Sequence, residues 1–522
     1  MATKRVSNAV QGRLSAPAAG LPGRSEGPGR NGDRGRLPAG NREPGRLLSR
    51  SRKPGRLPSE ARDPGRRHSP GLTLTASLLG FFLITLDGSV VNVALPAIGH
   101  DLHGELSALQ WVMDGYTLAF AALMLSTGAL SDRIGASRAF PAGVAVFTAA
   151  SAGCGLAPTL PVLITGRVVQ GVAAAVVLPS SLALIRQAFP DAGDRARAIS
   201  VWAAGASTAI ALGPVAGGAL TTAWGWRGIF FVNLPVGVAT VLLTARTARS
   251  PRRPAPLDTA GQLTAVLALA ALTFAVIESG RRGLLALAVA AVAGAAFFVI
   301  ESRHPHPVVP LGLFRNATVS VSIATGSAFS FAFYGMIFAL SLYLQQIRGL
   351  SPLTTGLMFV PMTLLISTVN VVAGRVANRY GPRRPMIAGQ LLMIAGLLVL
   401  LLVGSHTPLP LLAVAMVPLA LGGALVVPPL TTATLEAVPA ERAGLASGVL
   451  NSGRQVAGGL GVAVFGTLVA DQAHFQSGLR ISLLIATALL AATTTATVLA
   501  LRPAAVRPTR RSQTPAPPAL NT

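Results

Sequence analysis

Two opposite charges lie inside apolar runs of this chain, and they set the chemistry open to it. Asp87 sits in Leu86-Asp87-Gly-Ser-Val-Val-Asn92-Val-Ala-Leu-Pro96, and Arg167 in Arg167-Val-Val-Gln170-Gly171. Ionisable groups in apolar spans are costly and face a cavity or a partner. Asp87 could therefore exchange protons, or serve as a polar contact between helices. A guanidinium stays charged and needs an anion or a carbonyl. Asp87 and Asp114, the latter in Trp111-Val-Met-Asp114-Gly-Tyr116, are both candidate partners for Arg167. Arg454, in Asn451-Ser-Gly-Arg454-Gln455-Val-Ala-Gly458-Gly459, poses the same question, with packing against backbone carbonyls as the plainer reading.

Other motifs point to movement. Gly128-Ala-Leu-Ser-Asp132-Arg133-Ile-Gly135-Ala-Ser-Arg138 spans a helix end and a short loop. Its glycines permit close packing and a tight turn, and Asp132 is suited to a helix N-terminus. The motif predicts a gating element; the plainer reading is a basic flank. In Gly205–Leu220, Pro214 removes a backbone donor, while Gly213, Gly217 and Gly218 allow tight packing or a hinge. Phe329, Phe331, Phe333, Tyr334, Phe338 and Tyr343 cluster in one apolar run, with 329/333 and 334/338 at same-face spacing. They, with Asn92 and Arg454, could line a substrate pocket, or the aromatics could simply pack or face lipid. His304 and His306, in a Pro-rich stretch, read as solvated.

Soluble catalysis finds no support. No G-x-x-x-x-G-K-[ST] loop is present, which disfavours an ATP-driven pump. Neither a dinucleotide fingerprint nor metal-ligand spacing stands out, and Cys154 is the only cysteine.

These residues must be positioned by membrane helices. The chain has 522 residues and is 51% hydrophobic but only 12% charged; soluble proteins carry about 25% charged residues. Windows of about 20 apolar residues cross a bilayer as helix. Fourteen recur, near 73–97, 109–130, 139–158, 161–185, 198–220, 228–245, 260–277, 284–300, 317–346, 354–374, 386–404, 409–434, 444–470 and 481–501. Residues 1–70 are Arg/Pro/Gly/Ser-rich and predict a disordered basic tail. Loops assigned to the outside hold five arginines: Arg227, Arg281, Arg282, Arg348 and Arg480. The other loops and the C-terminal tail hold twenty, so the positive-inside bias places both termini in the cytoplasm. This also accounts for the net charge of +25 without invoking nucleic acid. Gly374-Arg-Val-Ala-Asn378-Arg379-Tyr-Gly381-Pro-Arg-Arg384 echoes Gly128–Arg138. The echo implies two six-helix sets with two extra helices between them.

On these motifs the chain resembles the major facilitator superfamily, specifically its fourteen-helix drug:proton antiporter group, over about residues 73–500. Trp111–Tyr116 resembles the subset that includes methylenomycin-resistance-type exporters; Trp226-Arg227-Gly-Ile-Phe-Phe-Val-Asn233-Leu-Pro235 and Asn451–Gly461 also resemble the group. The resemblance implies that Gly128, Asp132, Arg133, Gly135 and Arg138 govern conformational switching. It implies that Gly213, Pro214, Gly217 and Gly218 form the antiporter helix motif, and that Arg167 takes part in proton coupling. Two departures stand out: Ala136 replaces the usual basic residue, and Asn378 is neutral.

The expectation is an all-α polytopic membrane protein with a major-facilitator fold of fourteen transmembrane helices. Its divisions are a tail at 1–70, a six-helix bundle at 71–246, a two-helix insert at 247–316, a second bundle at 317–502 and a tail at 503–522. Asp87 and Arg167, the leading pair, with Asp114 as the competing partner, would couple protons to the efflux of amphipathic drugs or antibiotics across the cytoplasmic membrane by alternating access. The proton gradient would be the energy source, with no cofactor, no metal and no obligate protein partner. A proton-coupled importer of a nutrient or metabolite is the alternative, with a non-transporting sensor or a membrane-embedded enzyme behind it.

Overall fold

The computed structural model describes residues 69–245, 250, 252, 258–278, 280–305, 307, 309–404, 406–439 and 442–501. The basic N-terminal tail up to residue 68, His306 and the tail at 503–522 lie outside them.

All fourteen apolar windows fall on helix. The helices are α1 Pro70–Asp101, α2 Leu106–Ile134, α3 Ala136–Gly155, α4 Leu160–Ala188, α5 Ala192–Trp224, α6 Gly228–Phe231 and α7 Asn233–Thr244. There follow α8 Thr259–Ile277 and α9 Gly280–Arg303. The rest are α10 Ala317–Leu342, α11 Pro352–Met358, α12 Val360–Tyr380, α13 Arg383–Leu400, α14 Leu409–Ala415, α15 Val417–Glu436, α16 Ala443–Leu468 and α17 Phe475–Ala500. The broken windows have local causes. Pro352 and Pro418 sit at the starts of α11 and α15, where a missing N–H costs nothing.

Nine described spans are long and apolar enough to cross a membrane, and a tenth, α2, qualifies if its halves, bent by 63° between Met124 and Ser126, count as one. Gly228–Thr244 is a shorter apolar stretch. Helices α3, α12 and α16 are less apolar because they carry Ser, Thr, Asn or Arg. The outside of the bundle is greasy: Leu402 is 84% exposed, Leu499 79% and Val292 71%. In water such a surface would aggregate; in a bilayer it is the lipid contact.

Within the first seven helices, α1 packs on α4, α5 and α7, and α3 packs on α4 and α7. Phe140, Val144, Phe147, Val177 and Leu184 form their core. In the later part, α10 packs on α16, α15 and α17, and α13 packs on α15 and α17. Two large seams join the parts, α2 against α16 and α5 against α11 and α12, and α1 makes a smaller one with α10. Helix α8 lies along the first seam. Its Gln262 amide donates to the Ala122 carbonyl on α2 (2.6 Å), while Thr467 of α16 donates to the Val276 carbonyl (3.0 Å). Helix α9 packs mainly on α8.

Candidate functional site

The choice of partner for Arg167 is resolved in favour of Asp87. Both side chains are fully buried, and Arg167 Nη1 is ion-paired with Asp87 Oδ2. Close approach of α2 and α4 makes this possible. Gly171 lies against the backbone of Tyr116, where any side chain would collide, and Gly115 faces Val168 and the Ile164 carbonyl. One turn before Gly171, Arg167 is thereby laid over α2. Its Nε–H donates to the Val112 carbonyl (3.1 Å), and its guanidinium stacks 4.3 Å from the Tyr116 ring centre. Tyr116 is itself held by its hydroxyl, which donates to the Ile84 carbonyl on α1 (2.9 Å).

The second carboxylate oxygen is also taken. Gln170 Nε2 donates to Asp87 Oδ1 at 3.1 Å, and Asn233 Nδ2 donates to the same oxygen at 2.7 Å. Gln170 in turn accepts from Arg167 Nη1 (2.9 Å). Asn233 opens α7, which Gly237 seats directly on Thr148 of α3. Its amide also donates to Ser151 Oγ (3.0 Å), whose hydroxyl donates to the Phe230 carbonyl (2.9 Å). Side chains of α4 and α7 thus converge on one carboxylate of α1, held from behind by α2, α3 and α6. Arg167 Nη2 and Asn233 Oδ1 are buried without a hydrogen-bond partner. Such pairs give little net stability when intact, but cost about 3–5 kcal/mol when one partner is removed.

Asp114 is placed differently. It is fully buried on α2, and neither carboxylate oxygen has a hydrogen-bond partner. It faces Gly459 of α16 across the seam. One turn away on both helices, Gln110 Nε2 donates to the Ala463 carbonyl at 2.7 Å. Positions 110 and 463, and then 114 and 459, are successive rungs of an antiparallel contact.

Asn92 does not join Asp87. Five residues put it about 140° around the helix. There its backbone carbonyl accepts from Ser341 of α10 (2.9 Å), and the next carbonyl, of Val93, accepts from Gln345 (2.9 Å). With the Gln110 bond, these are the side-chain hydrogen bonds joining α1–α7 to α10–α17 among the described residues. All lie toward the end where α1 finishes and α2 begins. The glycine motif of α5 packs in the same region. Gly213 rests on Ser89 and Gly217 on the Val90 backbone of α1, while Gly218 rests on the Pro352 and Leu353 backbone of α11. Helix α5 runs unbroken through Pro214.

The loop motif lies at the opposite end. Asp132, Arg133 and Arg138 are exposed. Gly135, at φ 90°, joins α2 to α3 and donates its N–H to the Ser131 carbonyl (2.9 Å). Ser137 and Ser250 exchange backbone-to-hydroxyl hydrogen bonds (3.0 and 2.8 Å), which pins the segment after α7 to this loop.

On α10, Phe329 and Phe333 stack as their spacing predicts, with ring centres 5.4 Å apart. Tyr334 instead meets Phe333 edge-on (5.6 Å), and Phe338 is fully buried. Arg454 lies over the Phe329 ring at 5.6 Å. The plainer reading of Arg454 fails, since it donates to no carbonyl among the described residues and its Nε–H is buried without an acceptor. His304, expected to be solvated, is half-buried 3.7 Å from buried Asp258. No cluster of three potential metal ligands occurs among the described residues.

Asn233, Ser151 and Tyr116 are site residues that motif reading passed over as chemistry. Asn233 left one signal, an isolated amide in an otherwise apolar run.

A lipid-facing helical bundle with a polar network sealed inside defines a multi-pass membrane protein of the transporter kind. Residues 77–462 and 323–520 match the Major Facilitator Superfamily, and the chain belongs to that superfamily. Multidrug resistance protein Stp of Mycobacterium tuberculosis is 40% identical over 407 residues, covering 76% of this chain and 76% of that protein. Methylenomycin A resistance protein of Streptomyces coelicolor is 38% identical over 421 residues, covering 79% of this chain and 89% of that protein. The fold is shared with a bacterial homolog of the human lysosomal transporter Spinster, at TM-score 0.61 and 19% identity, covering 84% of this chain and 98% of that one. The chain is a transporter, not an enzyme.

Proposed function

We propose that this protein exports amphipathic small molecules, of the drug or antibiotic kind, across the cytoplasmic membrane in exchange for protons. The observation that carries the reading is the buried Asp87–Arg167 pair on α1 and α4, beside the unpaired carboxylate of Asp114. Relatives named as resistance proteins support the outward direction. The proposed division is a bundle at 71–246, an insert at 247–316 and a bundle at 317–502, with both termini cytoplasmic.

The arginine bias then puts the Asp101 end outside. The seams between α1 and α10, α2 and α16, and α5 and α11 close that end, so the arrangement is shut outward. Protonating Asp87 removes the anion that holds Arg167. Two and three residues beyond Asp87, Ser89 and Val90 rest on Gly213 and Gly217. Within another turn, Asn92 and Val93 take the hydrogen bonds from Ser341 of α10 and from Gln345 just after it. A shift of α1 at Asp87 therefore bears directly on the closed seam. Asp114, lying in that seam, is the second group whose protonation would change its packing. The loop motif at Gly128–Arg138 would hinge the opposite end.

Everted vesicles test this. With an acidified interior they should accumulate substrate, and an uncoupler should abolish accumulation. Accumulation that ignores the proton gradient would overturn the coupling, and uptake in right-side-out vesicles driven by external acid would overturn the direction.

A further inference from the structure

We infer that Arg454 forms an anion-recognising subsite, so that the molecules this transporter prefers carry a carboxylate or similar acidic group beside an aromatic body. The inference rests on the transport reading and adds the substrate's chemistry.

Arg454 lies in the middle of α16, which packs inside the bundle, and is mostly buried. An arginine does not discharge by losing its proton. Inside a membrane such a cation is paired with an acid, or with carbonyls, or lines a functional path. Neither of the first two holds among the described residues: no carboxylate pairs with it and its Nε–H has no acceptor. Asp114 is not its counter-ion. The position facing Asp114 is Gly459, five residues on and about 140° around α16.

The surroundings are shaped for this side chain. Gly326 of α10 leaves room for the aliphatic stem of Arg454, and Gly458 of α16 leaves room for the Tyr334 ring. The guanidinium is laid over Phe329, which stacks on Phe333, which meets Tyr334 edge-on. A fixed fork of N–H donors beside a chain of ring faces and edges matches a planar acidic amphiphile. Its carboxylate would take the guanidinium and its ring would join the stack. A lipophilic cation would meet like charge here.

The test uses the purified full-length chain and two dyes: a rhodamine with a free benzoate and the methyl ester of the same dye. They differ in that one charge. Equilibrium binding by fluorescence anisotropy gives the affinity ratio of acid to ester. The wild-type ratio should favour the acid by about tenfold or more, the scale of a hydrogen bond to a charged group. Arg454→Gln should collapse the ratio toward one, and Arg454→Lys should keep part of it. The inference is overturned if the wild-type chain shows no saturable binding of the acid, no preference for it, or a preference that survives Arg454→Gln. An equal loss of both dyes in Arg454→Gln, with Arg454→Lys no better, would mark a packing residue and also overturn it. Proton-driven accumulation of either dye in everted vesicles is read separately. Its absence counts against efflux, while the binding ratio still decides the subsite.

Discussion

Replacing Asp87 by Asn keeps the shape of the side chain and removes its charge. The two carboxylate oxygens receive Arg167, Gln170 and Asn233. An amide can still accept from Gln170 and Asn233 through its oxygen, but its NH₂ must then point at the guanidinium, donor against donor. Arg167 is left fully buried with the Gln170 amide oxygen and the Val112 carbonyl as its remaining acceptors. Removing one member of a buried pair costs about 3–5 kcal/mol, and each 1.4 kcal/mol is about tenfold in an equilibrium. The folded population should therefore fall by about two to three and a half orders of magnitude relative to unfolded. Replacing both partners by neutral amides, Asp87→Asn with Arg167→Gln, should recover most of that loss, because buried pairs contribute little net stability. Transport should not recover, since the titrating group is gone. The assay is a double-mutant cycle of unfolding in detergent, run beside proton-driven flux in everted vesicles. A single Asp87→Asn variant that unfolds like the wild type would refute the energetic reasoning. One that still accumulates substrate against a gradient would refute the coupling role.

Gln110→Ala removes the amide that ties α2 to the Ala463 carbonyl, at about 1 kcal/mol for the bond. It should shift the protein several-fold toward the state open at the Asp101 end. Labelling of a cysteine introduced at the mouth would read this, because the one native cysteine, Cys154, is buried and silent. Gly217→Leu drives a side chain into the Val90 backbone, so closure at that end should be lost and flux abolished while the protein still inserts into membranes. Gly135→Ala forces a Cβ onto a backbone at φ 90° and should cost about 1–3 kcal/mol, visible as slower turnover with unchanged dye affinity. The exposed Arg227–Asp101 pair is a control: Arg227→Ala should change stability by less than about 1 kcal/mol.

The helices could be read because lipid imposes one rule on the whole chain: about 20 apolar residues, every backbone group bonded within the segment. That rule does not say where a span breaks. The interruptions at Val232, Phe359 and Met416 come from local packing and from prolines at helix starts, which hydropathy averages away. It is also weakest where function is strongest. Helix α16 combines Asn451, Arg454, Gln455 and several glycines, and so falls below the apolarity of a simple span even though it packs at the centre of the fold.

Residue types announced the site, but pairing did not follow from them. Asp87 leads Asp114 as the candidate partner for Arg167 in the sequence, yet sequence gives only charge and depth, and both carboxylates have similar depth. What separates them is which helices touch closely. Gly115 and Gly171 bring α2 and α4 together, and that contact points Arg167 across Tyr116 to α1. Asp114 lies on the same α2, yet it faces α16 at Gly459. The glycines were visible as letters, but a glycine states only that something comes close, never what. For the same reason Asn233 shows no role in its own stretch of sequence: its partner lies 146 residues away, brought to it by the seat of α7 on Thr148. Small residues, which carry no chemistry, decide which charge meets which, so a carboxylate left unpaired at the seam and another locked within a bundle can arise from the same pattern of letters.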